Sequence, residues 1–544
     1  MTKFKHGVNI ALAAIIVLQL VVVFCFAVQK QGYFIDEISS YVLANSYYNV
    51  KNYSLSSIVN KWTDGEFFSN LVKVSESHRF AYDSVFYNQR FDTHPPFYYL
   101  LLHTICSFFP ESFSKWYGLA INIIFFVVCD IFLFLLSKKI FSNQCLALLP
   151  SLVWGFSAGA VSDVIFIRMY MLLTMLTMMF TYFHFVIWEK GQSTKTLISI
   201  FLVTLSGFMT QYYFLIYVFF LAAGYCLLKI FQKKWKPFLI YMATMFGALL
   251  TGYLIFPFSI DHIFKGDRGV SAISSASTNN RFLYRLKIFL TRFSTQQFGG
   301  YLKELFIITI SVYLLVLIYK FVSKAKHAKQ NTNNDSYMFM DKTKLNLKPI
   351  LSIKNIFMIL FTFAVTATFL VIAKISPFRD TRYIYYLYPL ISLLAMFYIR
   401  KVFGLFIKND KLIFIGIVIL FTSLTIKTYN NGQIRYIYSN HDKKLTIARA
   451  YGDYDCIYIT DRMWAPKANI FELSEFQNIY LLKAKKLNAL PGILEDFPHE
   501  KGVVFFIDTI LDQDEVMKSI LTNKDFNKMK TLFTTDYAIS YLVE

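Results

Sequence analysis

The sequence predicts a polytopic α-helical membrane protein with about 11 transmembrane helices and a small extracytoplasmic C-terminal α/β domain. Composition is the first observation behind this prediction: 56% of the 544 residues are hydrophobic and 16% are charged. The mean hydropathy is +0.45, and the chain contains 58 Phe and 37 Tyr. Such a composition is typical of integral membrane proteins and not of soluble domains.

The second observation is a series of apolar stretches of about 17–25 residues, the length that crosses the hydrocarbon core of a bilayer. We predict a membrane-spanning helix in each stretch, centred near residues 18, 126, 153, 178, 203, 220, 247, 311, 362, 391 and 419. The first stretch could instead be a cleaved signal peptide. No clear small-x-small cleavage site follows it, so we expect it to be retained.

The third observation is the distribution of charge. The net charge is +21, but Lys and Arg lie between the apolar stretches, where they report topology and give no support for a nucleic-acid partner. Every second connection is basic, including the tract at 320–348. By the positive-inside rule these connections and the N-terminus are cytoplasmic. The long loop 30–114 and everything after about residue 430 are therefore predicted to lie outside.

The C-terminal region differs in kind from the rest of the chain. Strand-like runs such as "DCIYIT", "NIYLL" and "GVVFFID" alternate with helix-compatible stretches, which predicts a small α/β domain over 440–544 after a membrane domain over 1–430. This region contains no nucleotide-binding motif or nucleophile elbow. A packing or acceptor-recognition role is favoured over a second catalytic domain. The six cysteines show neither a disulfide framework nor metal-ligand spacing.

Charged residues collect at the outer ends of the predicted spans. They are Asp36 and Glu37 after the first span, Asp92 and His94 at the end of the same loop, Asp163 and Arg168 between the third and fourth spans, and Arg379, Asp380 and Arg382 between the ninth and tenth. Such charges are costly near hydrocarbon unless they are paired or face a water-filled cavity. Each alone is compatible with an ordinary interfacial charge. Together they predict a site for an anionic, membrane-held ligand.

These residue types suggest a chemistry. A carboxylate beside another carboxylate holds a proton more readily, so Asp36 is suited to act as a general base toward a hydroxyl. Arginines can bind the phosphate of a leaving group through paired donors. Pro95 and Pro96 fix the backbone before an apolar stretch of about 13 residues, which we predict to be a helix at the membrane interface. A base and a phosphate clamp together indicate group transfer from a lipid phosphate.

Four segments together resemble a known family. They are Asp36-Glu37 after the first span, "DTHPPFYYLLLH" at 92–103, "IRMYML" at 167–172 and "RDTRYIYYLYP" at 379–389. They are similar to the bacterial multi-spanning glycosyltransferases related to the protein O-mannosyltransferases, which include the aminoarabinose transferases of lipid A and the rhizobial lipopolysaccharide glycosyltransferases. The resemblance covers residues 1 to about 400. It implies the type-C glycosyltransferase fold and an inverting enzyme that takes sugar from a polyprenyl-phosphate carrier.

The resemblance also implies roles for individual residues. Asp36 matches the catalytic carboxylate, and its neighbour Glu37 either takes part or tunes Asp36. The expected cavity or substrate residues are Asp92, His94, Pro95 and Pro96, to which the outer-end position adds Asp163. The expected donor-phosphate residues are Arg168, Tyr170, Arg379, Arg382 and Tyr383. Two departures are Gln211, where relatives often carry a His that could bind metal, and Lys115, where relatives often carry Arg.

We therefore expect a glycosyltransferase of a bacterial cytoplasmic membrane, with its active site and C-terminal domain outside. Its partners would be a lipid-linked sugar donor, membrane lipids, and a hydroxyl acceptor on a cell-wall polymer, surface polysaccharide, lipid or protein. No cofactor is certain, and a divalent metal has no support in the sequence. One alternative is a lipid-linked glycan flippase or transporter, which would spread polar residues through the membrane depth. Another is a surface-binding module on an anchor, which would not need eleven spans.

Overall fold

The computed structural model describes residues 2–48, 55, 57–278, 281–331, 352–495, 502–522, 526 and 528–544. The basic tract predicted to be cytoplasmic at 320–348 lies mostly outside these residues. The chain divides into two compact units. The helical unit comprises Met1–Phe24, Ile123–Val164 and Met169–Arg435, and the mixed unit comprises Cys25–Asn122, Ile165–Arg168 and Tyr436–Glu544. The boundaries predicted from sequence, 1–430 and 440–544, stay a prediction.

The spans are formed by long apolar helices. Among the described residues, nine helices are long and apolar enough to cross a membrane: Gly7–Gln29, Lys115–Ile140, Tyr170–Lys190, Phe214–Phe231, Trp235–Ile255, Leu302–Tyr319, Ile353–Ile375, Thr381–Phe403 and Asp410–Asn430. A further span is a pair of helices, Leu146–Gly155 and Ala158–Ile165, bent by 57°. The chain is therefore a multi-pass membrane protein, and the predicted fold class is confirmed.

One predicted span is shorter than expected. The stretch centred near residue 203 forms the helix Thr194–Phe208, which has 15 residues. At 1.5 Å per residue it is about 22 Å long, less than the roughly 30 Å of a hydrocarbon core. The apolar stretch in the sequence is longer than the helix because the chain turns at Met209 and Thr210 before Phe214–Phe231 begins.

The span Tyr170–Lys190 is the most buried of the nine. It carries several threonines, whose hydroxyls would be costly in an apolar interior without partners. Thr174, Thr177 and Thr181 each donate a hydrogen bond to the carbonyl four residues earlier, at 2.8–2.9 Å. The backbone of the helix therefore accepts hydrogen bonds from these hydroxyls, which lets a threonine-containing span pack in the interior of the helical unit.

The helical unit has further elements between its spans. They are the α-helices Ser259–Phe264, Asp267–Ser277 and Phe282–Phe298. The span Leu302–Tyr319 is the first part of the helix Leu302–Asn331, and the bent pair begins with the 3-10 helix Leu146–Leu148. In the span Thr381–Phe403, the α-helix Tyr388–Phe403 follows the 3-10 helix Thr381–Leu387. Asp380 begins this 3-10 helix by accepting a hydrogen bond from the backbone N–H of Arg382 at 3.1 Å. This cap sets the position of the predicted phosphate-binding segment.

The mixed unit contains the predicted α/β fold. Its strands are β1 (Trp62–Thr63), β2 (Asp455–Ile459), β3 (Asn478–Leu482), β4 (Val503–Asp508), β5 (Met529–Thr534) and β6 (Ala538–Val543), in the sheet order β1-β3-β2-β4-β6-β5. Strands β3, β2 and β4 are parallel, and β1, β6 and β5 join antiparallel. All six residues of β4 are buried, as expected for a central strand covered on both faces.

Helices surround this sheet and lead into it. They include α1 (Thr2–Gln29), which begins in the helical unit and ends in the mixed unit, and α2 (Ile35–Asn45). The others are Gly65–Asn70, Tyr82–Arg90, Phe97–Phe108, His441–Ala450, Ile470–Leu473, Leu490–Glu495 and Gln513–Leu521, with the 3-10 helices Glu76–His78, Ala465–Asn469 and Ala484–Ala489. Helix Phe97–Phe108 begins directly after Pro96, as the sequence predicts, and packs against α2.

Candidate active site

Glu37 lies in the first turn of α2 and is fully buried. Its carboxylate accepts hydrogen bonds from the backbone N–H of Phe34 at 2.7 Å and of Ile167 at 2.8 Å. Lys30, also fully buried, lies 3.0 Å from both carboxylate oxygens and donates to the carbonyl of Tyr436 at 2.7 Å. Glu37 therefore connects the start of α2 to Ile167 and, through Lys30, to Tyr436. This arrangement fits the interpretation of Glu37 as a neighbour that positions Asp36.

Asp36 lies on the same first turn but is partly exposed. The N-terminus of a helix favours a carboxylate, because its unpaired backbone N–H groups and the helix dipole attract negative charge. Its backbone carbonyl accepts a hydrogen bond from Ser40 at 3.0 Å, and the same hydroxyl lies 3.1 Å from the carbonyl of Ile167. Of the two adjacent acids, Asp36 is thus the one whose carboxylate a substrate can reach.

A histidine and a carboxylate form a pair at the end of the predicted outer loop. Nδ1 of His94 lies 3.0 Å from Oδ2 of Asp92. Burial lowers the pKa of His94, which favours the neutral imidazole. Burial alone raises the pKa of Asp92, but the hydrogen bond from His94 and the positive charge of Arg168 act in the opposite direction, and this pKa lies well below its usual range. A neutral His94 that donates from Nδ1 keeps its lone pair on Nε2.

Pro95 and Pro96 connect this pair to the helix Phe97–Phe108. Pro96 has φ −81° and ψ −13° and directly precedes the first helical residue. A proline is well tolerated there, because the first turn of a helix leaves its N–H groups without intrahelical partners. The two prolines therefore fix where the helix starts relative to His94.

Arg168 is almost fully buried and contacts two residues of the mixed unit. Its Nη1 donates to Oγ of Ser40 at 3.2 Å and to the hydroxyl of Tyr99 at 2.9 Å. Ser40 is one helical turn after Asp36, and the charge of Arg168 also acts on Asp92 and His94. The structure thus places Arg168 near Asp92, His94 and the helix start that bears Asp36.

Lys467 completes this charged cluster, and sequence reasoning missed it. It lies on the 3-10 helix Ala465–Asn469, which packs against α2, and its side chain is buried. Burial lowers the pKa of Lys467 to about 8, although the negative charges of Asp92 and Asp36 act in the opposite direction. A lysine more than 350 residues after the loop 30–114 has no local sequence signal that could have identified it.

The other predicted residues belong to the helical unit. Arg382 is almost fully buried, and its guanidinium lies 5.2 Å from the ring centroid of Tyr383. The ring of Tyr383 in turn meets the edges of Tyr170 at 6.2 Å and Tyr213 at 5.8 Å. The cation–π contact of Arg382, together with the hydrogen bond that its Nη2 donates to the hydroxyl of Tyr383 at 3.4 Å, holds the guanidinium beside the ring. Arg382, Tyr383 and Tyr170 are therefore together in the helical unit.

Three further residues of this unit have different surroundings. Arg379 is exposed and lies 5.3 Å from the ring of Tyr284. Asp380 binds both terminal nitrogens of Arg435, at 2.8 and 2.9 Å. Asp163, predicted as a cavity residue, is buried, and its Oδ2 lies 2.8 Å from the hydroxyl oxygen of Thr174. The prediction that residues of both units line one cavity stays a prediction.

Within the described parts of the chain, no group of three or more His, Cys, Asp or Glu side chains could hold a metal ion. Gln211 is buried near the end of the turn after Thr194–Phe208. Its amide is a poorer metal ligand than the imidazole of a histidine.

Two solved structures are similar to this chain over nearly its whole length. Both are crystal structures of ArnT from Cupriavidus metallidurans, one bound to undecaprenyl phosphate and one in the apo state. Each has a TM-score of 0.54 and 8% sequence identity, with 98% and 99% of this chain and 97% and 98% of ArnT covered. The chain has the fold of ArnT. The type-C glycosyltransferase fold that the sequence resemblance implied is thereby confirmed.

The likeness to ArnT is one of fold, because the identity is only 8%. No family model matches the sequence, and no curated protein matches it significantly. The roles of individual residues therefore depend on the geometry described above.

The buried ion pair offers a test of the positioning role of Glu37. Glu37→Gln removes the charge that balances Lys30, and leaving a buried charge without its counter-charge costs about 1–3 kcal/mol or more. We expect a lower melting temperature for purified Glu37→Gln. The double variant Lys30→Met/Glu37→Gln should recover part of the loss. Glu475→Gln, which breaks the exposed pair with Arg449, should change the melting temperature little. Equal melting temperatures for wild type and Glu37→Gln would contradict the positioning role.

Proposed function

We propose that this protein is an inverting glycosyltransferase that moves a sugar from a polyprenyl-phosphate donor to a hydroxyl of an extracytoplasmic acceptor. The observation that carries the proposal is the partly exposed Asp36 on a helix start that Glu37, Lys30 and Ile167 hold in place. The fold supports it, because ArnT has been crystallised with undecaprenyl phosphate. The likeness to ArnT does not favour the flippase alternative.

In the proposed reaction the carboxylate of Asp36 accepts the proton of the acceptor hydroxyl. The hydroxyl oxygen then attacks the anomeric carbon of the donor sugar, and the bond from that carbon to the carrier phosphate breaks. The products are the glycosylated acceptor and polyprenyl phosphate, and a single displacement inverts the anomeric configuration. A base within hydrogen-bond reach of the attacking hydroxyl contributes about 10²–10⁴-fold to such a step.

Other residues of the cluster would position this base. The charge of Asp36 acts on both His94, which is paired with Asp92, and Lys467. Arg168, which contacts Ser40 one turn away, adds positive charge. The positive charges of Arg168 and Lys467 favour the binding of an anionic substrate near Asp36. Asp163 would contribute to the cavity wall.

The leaving phosphate gains negative charge as its bond to the sugar breaks, so a positively charged group beside it stabilises the transition state. We assign this role to Arg382, whose guanidinium is held on Tyr383, with Tyr170 supporting that ring. Arg168 would dock the carrier, because its Nη1 already has two partners. Arg379, which is exposed, would act at the entrance to the phosphate site.

A deletion strain tests the function in the cell. We expect it to lack one sugar of a surface glycan, lipid or protein of its parent and to accumulate the corresponding polyprenyl-phosphate sugar. Mass spectrometry of extracted lipids and of surface glycans measures both. The purified protein should restore transfer from the accumulated lipid. An unchanged lipid pool together with unchanged surface glycans would overturn the proposal.

The proposed orientation gives a second test. The C-terminal region has the exposed Lys485 and Lys486, and we propose that it lies outside. Trypsin added to intact spheroplasts should therefore cut this region, while the Lys-rich tract at 320–348 should stay intact until the cells are lysed. Immunoblots with tags at each end separate the two events. Cleavage at 320–348 with a protected C-terminal region would reverse the whole topology.

A further inference from the structure

The mixed unit contains a pocket next to the helix start that bears Asp36. Its volume is about 280 Å³, close to the lower limit of typical ligand sites. Ile35 and Ile38, on either side of Asp36 in α2, are part of its wall. The rest of the wall includes three kinds of side chain, which are aromatic (Tyr33, Phe471, Tyr537), acidic or histidine (Glu472, His441) and basic (Lys444).

Two buried polar atoms of the wall residues, Nε2 of His441 and Oε2 of Glu472, have no hydrogen-bond partner among the described residues. The other polar atoms of these two groups, Nδ1 of His441 and Oε1 of Glu472, are 3.5 Å apart. Glu472 is 1% exposed. A buried polar group without a partner costs about 1–3 kcal/mol, and folded proteins keep few of them. Their place in a pocket wall points to a ligand that supplies the missing bonds.

The protonation of these groups narrows the chemistry of that ligand. Burial lowers the pKa of His441 to about 4, so its ring is neutral near pH 7. Burial raises the pKa of Glu472 to about 7, so its carboxyl exists in both forms near that pH. A hydroxyl group can donate or accept and therefore suits both atoms in either form. An amide N–H or an ammonium can only donate.

The charges around the pocket argue against ionic ligands. The charge of Lys444 acts on both His441 and Glu472 and disfavours a cation beside them. Glu472 and the exposed Asp536 in the wall disfavour an anion. The rings of Tyr33 and Phe471, with centroids 4.9 Å apart, provide an apolar surface. A neutral ligand with several hydroxyls on one side and an apolar face on the other satisfies all of these groups.

We propose that this pocket binds a neutral sugar ring, with adjacent hydroxyls bonded to His441 and Glu472 and an apolar face against Tyr33 and Phe471. This inference extends the proposed function, on which it rests for the identity of the ring as part of the acceptor. Because Ile35 and Ile38 belong both to the pocket and to the helix start of Asp36, a glycan held here extends toward the proposed base. The acceptor is accordingly a carbohydrate chain and not a peptide hydroxyl.

Binding can be measured without a donor lipid. Saturation-transfer NMR on the full chain in detergent would use three probes: methyl β-glucopyranoside, methyl β-galactopyranoside and methyl N-acetyl-β-glucosaminide. We expect a saturable signal from at least one of them. Glu472→Met and His441→Phe keep the side-chain size but remove the polar atoms, and each should weaken binding at least tenfold. Glu475→Gln, a carboxylate change three residues away outside the pocket wall, should leave binding unchanged.

Melting temperatures separate binding from folding. A carboxylate that only stabilises the fold would lower the melting temperature on replacement and leave sugar binding intact. We expect the opposite for Glu472→Met, because an apolar side chain ends the cost of the unbonded oxygen. No saturable signal from any probe, or equal binding by wild type and both variants, would overturn the inference. Transfer activity in a protein that does not bind the sugar probes would overturn only the inference about the pocket. Binding of a sugar probe by a protein without transfer activity would overturn only the proposed function.

Discussion

Asp36→Asn is expected to lower the rate of sugar transfer about 10³-fold, equivalent to roughly 4 kcal/mol of transition-state stabilisation. Asparagine has nearly the same shape, but its amide cannot accept the proton of the acceptor hydroxyl. Asp36 is partly exposed, and the buried partners of α2 belong to Glu37. The fold should therefore be unaffected. Steady-state kinetics with a synthetic polyprenyl-phosphate sugar, together with melting curves, measure both quantities.

Two variants make this experiment decisive. Asp514→Asn changes another acid in the first turn of a helix, Gln513–Leu521, and should leave transfer unaltered. His94→Gln removes the imidazole paired with Asp92, and we expect a loss of about tenfold, since this pair only orients and polarises the site. Full activity of Asp36→Asn combined with a severe loss in His94→Gln would assign the base to His94 and reject the role of Asp36.

Arg382→Lys is expected to lower turnover about a hundredfold, or roughly 2.7 kcal/mol, with little change in the Michaelis constant. Lysine keeps the charge but loses the planar, two-pronged set of donors that matches a phosphate. It also loses the contact of the guanidinium with the ring of Tyr383. Because charge on the leaving phosphate grows in the transition state, this loss should appear in turnover and not in ground-state binding.

Arg168→Lys and Arg379→Lys are the matched comparisons. An arginine that docks the carrier stabilises ground state and transition state alike, so replacing it should raise the Michaelis constant and nearly preserve turnover. We expect this pattern for Arg168, with a smaller effect at the exposed Arg379. Equal small effects at positions 168 and 382 would mean that another group holds the phosphate.

The sequence predicted those features that have a local signal. Spans follow from apolar length. Among the described residues, the stretch near residue 203 forms only the 15-residue helix Thr194–Phe208, and the stretch near residue 153 forms a helix pair bent by 57°. Apolar length alone predicts neither the short helix nor the bend. The helix after Pro96 follows from proline chemistry. Asp36 and Glu37 were identified as a pair. Their different surroundings depend on Ile167 and Lys30, and the contact with Ile167 has no local signature.

Features that depend on distant residues could not be predicted. Strand β1 has only two residues and pairs with β3, more than 400 positions later. Lys467 is a single lysine among many, and only the packing of its 3-10 helix on α2 brings it near Asp36 and Asp92. The pairing of Asp380 with Arg435 is likewise a contact between segments that the sequence treats as separate. Local patterns cannot specify such contacts, because they arise from tertiary packing alone.

The hydrogen bond from Lys30 to the carbonyl of Tyr436 joins residues 406 positions apart. During synthesis at about 5–20 residues per second, the ribosome adds Tyr436 roughly 20–80 s after Lys30. Trp62 of strand β1 pairs with Tyr480 of β3, which is synthesised later still. The first loop must therefore remain unfinished while most of the spans are inserted. Maturation of this protein then depends on the last fifth of the chain, and a ribosome that stalls before residue 436 releases a product whose first loop cannot close.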